Sequence, residues 1–450
     1  MKLAPLIIDP HLTRPDTLVL KTLLADIDHG NVQLQAKLSD REISHPEKHG
    51  TIAQSNGNGT LSKSTSNGDQ ATIDALEAWN NPEHKSFEPS VFATWDLPDV
   101  KVPATLDRIV LQPYIKWART IVRKETDVLM LTQLILYFTT SVPSALYLYY
   151  HFSYLHAFFH ILMQLWYTGT YTLMMHQHIH MGGILAKKYA WIDACFPYIT
   201  DPLMGHTWNS YFFHHVKHHH IESNGPDDLS STLLYQRDEI SSFLHYVGRF
   251  FFFVWLDLPL YFLRKNKPVA ALKTAASELG TYAAICLLAI YGNSQATVFV
   301  YVLPLLTLRL GLMVGNWGQH AFVDEVDPDS DFRSSITLID VSSNRYCYND
   351  GYHTSHHLNP RRHWREHPVA FIKQKDRYAQ EDALVFRNID YIMITIKLLQ
   401  KDYMYLAERM VPLGHQMDMT VEQRATLLKT KARRFTRAEI EQKFPKKQNL

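Results

Sequence analysis

Apolar residues along this chain are gathered into a few long runs separated by polar sequence. Val128 to Tyr150 holds no Asp, Glu, Lys or Arg over 23 residues, enough for a helix to cross a bilayer. Pro143 predicts a kink within it. A second charge-free run, Ser153 to Met175, follows after a very short connection, so the two read as a membrane hairpin. A third span is expected within Ala270 to Tyr291, where Lys273 and Glu278 interrupt the first half, and a fourth from Ala296 to Val314. Two semi-apolar stretches, Tyr189 to Met204 and Ile240 to Leu263, read as interfacial. Arg309 is the only charge in the fourth span; it either holds an acidic headgroup or snorkels to the nearby helix end.

The flanks differ in kind. Residues 1–126 are polar, and Gln54 to Gln70 is so rich in Ser, Asn and Gly that it reads as a flexible linker. Residues 127–370 form the expected membrane domain. Residues 371–450 read as a charged helical tail with a solvated or headgroup-facing surface, basic at Lys429 to Arg437 and at Lys446 and Lys447, the latter pair similar to a dilysine retrieval signal. Arg119, Arg123 and Lys124 precede the first span, Lys187 and Lys188 follow the second, and Arg264, Lys265 and Lys267 precede the third. The positive-inside rule then puts both termini and the large middle section in the cytosol, and only the turns near His151 and Asn293 on the other side. Asn58-Gly59-Thr60, a glycosylation sequon, should stay unmodified in that topology. Residues 1–30 fit neither a secretory signal nor a transit peptide. The expected fold class is an all-α integral membrane protein: four spans in two hairpins beneath a cytosolic helical cap.

Charge is balanced, with 45 Lys and Arg against 44 Asp and Glu, which gives no reason to expect nucleic acid as a partner. The mean hydropathy of −0.19 averages over the apolar runs and hides them. Cys195, Cys286 and Cys347 are too scattered for a disulfide framework or zinc knuckle. The unusual quantity is 25 histidines.

Histidine forms four groups, all on the side assigned to the cytosol by charge alone. His176 and His180 leave the second span. His215, His218 and His219 lie in YFFHHVKHHHIE, Asn316 and His320 in NWGQH, and His353, His356 and His357 in GYHTSHHLNP. Residues at i, i+3 and i+4 share one face of an α-helix, so each H-x-x-H-H aims three imidazoles at one point. The pair His214 and His218 also has i, i+4 spacing, which leaves His214 as an alternative to His215. Some nine neutral imidazoles exceed the four positions of a structural zinc and need two metals. A histidine-rich loop that buffers or transports zinc would need no such spacing. His178, His214 and His220 read as supporting or surface residues, and His363 and His367 as surface residues. Asp201, Glu222, Asp227, Asp228, Asp324 and Asp350 are the carboxylates near enough in sequence to accept a second imidazole N–H.

At these residues, over roughly Val128 to His367, the chain resembles the membrane fatty acid desaturase superfamily, whose histidine boxes surround four spans. NDGYHTSHHLNP is similar to the glycine-led third box of acyl-CoA desaturases, and Asn316-x-x-x-His320 to the extra ligands after their fourth span. The three residues between His176 and His180 match acyl-lipid desaturases instead, so acyl-CoA and acyl-lipid substrates both stay open. The third box begins with His353 rather than glutamine, and no H-P-G-G haem motif is present, unlike front-end desaturases with fused cytochrome b5. The resemblance implies a fatty acyl desaturase, or a hydroxylase on the same scaffold, using O2 and two iron ions on a lipid or acyl-CoA substrate. Electrons would come from separate cytochrome b5 and its NADH-dependent reductase, which places the protein on the endoplasmic reticulum. One iron would be held mostly by His176, His180, His215 and His218, the other by His219, His320, His353, His356 and His357, with the division open.

Overall fold

The computed structural model describes residues 12–43 and 67–444. Of the expected linker, 54–66 lies outside the described residues, and so do the sequon and the Lys446–Lys447 pair. Asn67 to Gln70 is not linker: it opens the helix Asn67–Asn80, whose Ile73 and Leu76 are buried.

Among the described residues, four helices are long and apolar enough to cross a membrane by length and composition: Val128–Tyr150, Ile240–Arg264, Pro268–Tyr291 and Ser294–Gln319. The first bends at Thr140 (φ −123°), because the Pro143 ring cannot pass the Thr139 carbonyl of an unbroken helix. The expected second span is part of a longer helix, Tyr154–Met181, which is less apolar than those four. Its polar groups face inward: Gln164 donates to Ser141 Oγ at 2.9 Å, and His160 bonds Ser144 Oγ at 3.0 Å. Ile240–Arg264, expected as interfacial, meets the span criteria. Leu146, Phe158, Trp166, Phe252, Leu287 and Ile290 are exposed on these helices, and Tyr150, Tyr154 and Tyr291 are exposed near the turns, where aromatic belts form.

Two of the charges that interrupted the third and fourth spans, Glu278 and Arg309, satisfy each other. Arg309 Nη2 donates to Glu278 Oε2 at 2.6 Å, and Glu278 also accepts from the hydroxyls of Thr207 (2.6 Å) and Tyr282 (2.5 Å). Arg309 therefore neither snorkels nor waits for a headgroup. Arg309→Met leaves Glu278 buried and uncompensated, which should cost about 3–5 kcal/mol, whereas Arg309→Met with Glu278→Leu should recover most of it. Thermal unfolding in detergent checks both variants; equal losses would show that the pair is uncoupled.

The fold is not purely helical. Ile336–Ile339 and Leu384–Arg387 form a parallel pair, Ile336 opposite Leu384, with every residue buried. Parallel strands need a crossover, and this one carries the third histidine box. The expected boundary at residue 370 thus falls inside the crossover. The tail is core rather than solvated surface: Phe386, Leu398, Leu406 and Leu428 pack with Trp317 and Leu338. Arg237, fully buried, donates to the carbonyls of Thr232, Ala321, Lys431 and Arg433 and ties the tail to the end of the fourth long apolar helix. Two residues of the basic cluster are spent internally, Lys431 on Asp324 and Arg433 on Glu325 and Glu439.

Candidate metal centre

His176 and His180 occupy the last turns of Tyr154–Met181, which Gly182 ends at φ +66°. The second box is not α-helical. Phe212–His219 winds as a π-helix, whose i→i+5 hydrogen bonds place residues five apart on one face. His215 and His220 therefore meet, Nε2 to Nε2, at 3.0 Å, and His219 points to the neighbouring side. The third box is the short helix His353–Leu358. It sends His353 and His357 one way, their Nε2 atoms 3.1 Å apart, and His356 the other.

Two convergent groups result. In the first, one ring nitrogen from each of His176, His180, His215, His220 and His356 lies within 4.8 Å of the others; in the second, the same holds for His219, His320, His353 and His357. Within the first, Nε2 of His176 is 2.7 Å from that of His215 and 3.1 Å from that of His356, which is 2.8 Å from His220 Nε2. Within the second, the Nε2 atoms of His353 and His320 are 3.3 Å apart. The groups adjoin, because the rings of His215 and His219 stack at 5.4 Å and those of His220 and His357 lie 5.1 Å apart.

Burial, reinforced by neighbouring imidazoles, holds His215, His220, His320, His353 and His356 well below the ordinary histidine range. They are neutral at physiological pH, with lone pairs available. His180 Nε2 is buried without a hydrogen-bond partner. Converging neutral nitrogens with an orphaned atom among them fit one divalent cation per group, and an all-imidazole donor set suits iron, copper, zinc or nickel.

In the second group the outward nitrogens of His219 and His320 are hydrogen-bonded, that of His357 lies near a carboxylate, and that of His353 is buried without a hydrogen-bond partner. His219 Nδ1 is 2.8 Å from Asp228 Oδ2, His320 Nδ1 is 2.8 Å from the Ser334 carbonyl, and His357 Nδ1 is 3.4 Å from Asp331 Oδ1. An Nδ1–H donated outward leaves Nε2 free for a metal. Burial alone would raise the Asp228 carboxyl, but His219, His218 and Ser230 outweigh it and hold the group well below the usual range. Asp228→Asn should weaken metal binding about 10–100-fold, read by competition with a chelator; unchanged affinity would remove Asp228 from the centre.

Most of the expected ligands come together, with one exchange. His218 belongs to neither group: its Nε2 accepts the Leu229 N–H at 3.0 Å and its ring packs edge-on against Tyr261. His220, expected to be supporting, takes its place, because the π-turn advances the second box by one residue. His356 joins the first group rather than the second. Asn316 Nδ2 donates to the Ser230 carbonyl and the Tyr246 hydroxyl. His178 turns away toward the Asp193 carbonyl, and His214 stacks edge-on against Phe250. His363 and His367 are not on the surface; they are buried, bonded to Asp127 and to Ser355.

Of the candidate carboxylates, Asp228 alone bonds an imidazole of either group. Asp201 accepts from Tyr171 and Asp350 from Gln319, and burial pushes both up to about 7. Glu222 and Asp227 pair with Lys265, and Asp324 with Lys431. Asp331 was missed, since 26 residues of chain separate it from His357 and no local spacing signals the contact.

Comparison with known proteins gives one match, to the family described as fatty acid desaturase, over residues 152–386, just over half of the chain. No match was found among curated proteins or among solved structures.

Proposed function

This chain belongs to the fatty acid desaturase superfamily, and from that premise we propose that it is an O2-dependent fatty acyl desaturase using a di-iron centre and external electrons. The observation that carries the reading is the convergence of nine imidazoles into two adjoining groups at the ends of apolar helices. His176, His180, His215, His220 and His356 would hold one iron. His219, His320, His353 and His357 would hold the other, completed by Asn316 through Oδ1, its amide nitrogen being engaged elsewhere.

Parity supports the four-span topology. His219 and His320 share a group, so the chain between them crosses the membrane an even number of times. Three apolar helices lie in that interval, so at most two of them cross. Ile240–Arg264 is the one assigned to the interface, because the exposed Arg249 and half-buried Asp257 pair at 3.1 Å on it. The spans are then Val128–Tyr150, most of Tyr154–Met181, Pro268–Tyr291 and Ser294–Gln319, with both termini and the histidine groups on the cytosolic side. That side is where cytochrome b5 and its reductase would deliver electrons at the endoplasmic reticulum.

When bound, two irons supply the oxidising power against a methylene C–H that no acid–base side chain has. The residues of this chain do the positioning. Asp228 and the Ser334 carbonyl fix ring orientation, neutral imidazoles keep their lone pairs inward, and the core on Trp317 and Phe386 shields the second group from water.

The test is lipid profiling, by gas chromatography and mass spectrometry, of a desaturase-deficient microbial host expressing the wild type beside His219→Ala. A new unsaturated acyl chain, absent from the variant, is expected. A hydroxylated chain instead would make the protein a hydroxylase. No product from a protein holding two irons would place the substrate outside fatty acyl chains, and zinc in place of iron would make it a metal-handling protein.

A further inference from the structure

The third box is held from a distant part of the chain. Tyr348 and Asn349 both have positive φ, so the backbone makes a left-handed turn just before the ligand helix. Gly351 passes so close to the Asn344 side chain and the Leu338 carbonyl that a Cβ would collide with both. Asn344 keeps the turn closed: its Oδ1 accepts the Gly351 N–H at 2.9 Å and its Nδ2 donates to the Leu338 carbonyl at 3.1 Å. Tyr352 then starts the ligand helix, its carbonyl accepting the His356 N–H at 3.0 Å.

Both residues end on one carboxylate outside the segment matched by the family. Asn344 Nδ2 also donates to Asp16 Oδ2 at 2.9 Å, and the Tyr352 hydroxyl donates to Asp16 Oδ1 at 2.6 Å. All three side chains are inaccessible to solvent. Asp16 lies in the first turn of Arg14–Ile43, where its own N–H donates to Thr13 Oγ1 at 3.0 Å. Arg345, next to Asn344, donates to the Leu12 carbonyl and pairs with Asp96 at 3.0 Å. Val19, Leu20 and Leu23 seat the same helix against Ile339, Tyr352 and Phe371.

We infer that Asp16 is a positioning residue of the metal centre: through Asn344 and Tyr352 it fixes the turn that aims His353, His356 and His357. The inference rests on the di-iron reading. The hydrogen bonds act on Gly351 and Tyr352, the two residues that lead into the ligand helix, so losing them rotates all three imidazoles together.

The experiment compares iron-loaded wild type with Asp16→Ala, Asp16→Asn, Tyr352→Phe and, as a packing control, Leu20→Ala, reading iron per chain, the Mössbauer spectrum and the rate of iron loss to a chelator. Asp16→Ala should lose iron at least about 10-fold faster and broaden the spectrum. Tyr352→Phe should move the same way by less, and Asp16→Asn should lie between wild type and Asp16→Ala. Leu20→Ala should lower thermal stability while leaving spectrum and release rate unchanged. If Asp16→Ala does not accumulate, Tyr352→Phe, which removes one oxygen and keeps the ring, decides. Wild-type spectra and release rates in the polar variants would overturn the role of Asp16. A wild type that fails to bind two irons would instead sink the di-iron reading.

Discussion

His356→Ala is expected to purify with at most one iron per chain and to form product more than about 100-fold slower than the wild type, beyond the range typical of outer-sphere substitutions. The size follows from its place. His356 Nε2 lies 3.1 Å from that of His176 and 2.8 Å from that of His220, so it joins the first box to the second within one group. Its helix carries His353 and His357 to the other group, which should keep its metal. Elemental analysis alongside lipid profiling checks both parts. Two retained irons with full activity would show that the first group is not a metal site.

The second large effect separates two imidazoles of one run, two positions apart. His220→Ala should empty the first group and abolish product, whereas His218→Ala should keep both irons and most of the activity. His218 is not idle. Its removal orphans the partly buried Leu229 N–H, a penalty of up to about 1 kcal/mol, so the variant should melt earlier while binding metal normally. Iron content and thermal unfolding measured on the same preparations distinguish the two. An essential His218 beside a dispensable His220 would return the second box to α-helical spacing.

That exchange shows where the sequence could be read and where it could not. The apolar runs, the kink at Pro143 and the four clusters of His176, His215, His320 and His353 follow from local patterns of charge, periodicity and spacing. The π-turn does not, because nothing in YFFHHVKHHH distinguishes i→i+4 from i→i+5 hydrogen bonding before the helix is packed. Arg309 and Glu278 each looked like a defect in its own span. Their pairing joins residues 31 apart on two consecutive helices and is visible only once those helices are side by side. The tail misled for a related reason: Lys431 and Arg433 have the composition of surface residues, yet their partners are acids about 107 residues earlier. The strand Leu384–Arg387 is four residues long, too short for periodicity to separate it from its helical surroundings.

The bond from Asn344 to Asp16 spans 328 residues, and it gives the protein a schedule. A ribosome adding roughly 5–20 residues per second needs about 15–65 s to travel that far. Throughout that interval the amino-terminal helix exists without the surface it will cover, and the first and second boxes are made before it ends. The centre is thus completed late in synthesis, and iron delivered before the third box meets at most six of its nine imidazoles. A nascent chain arrested before Gly351 should bind iron weakly, and stable loading should begin only after the third box has been made.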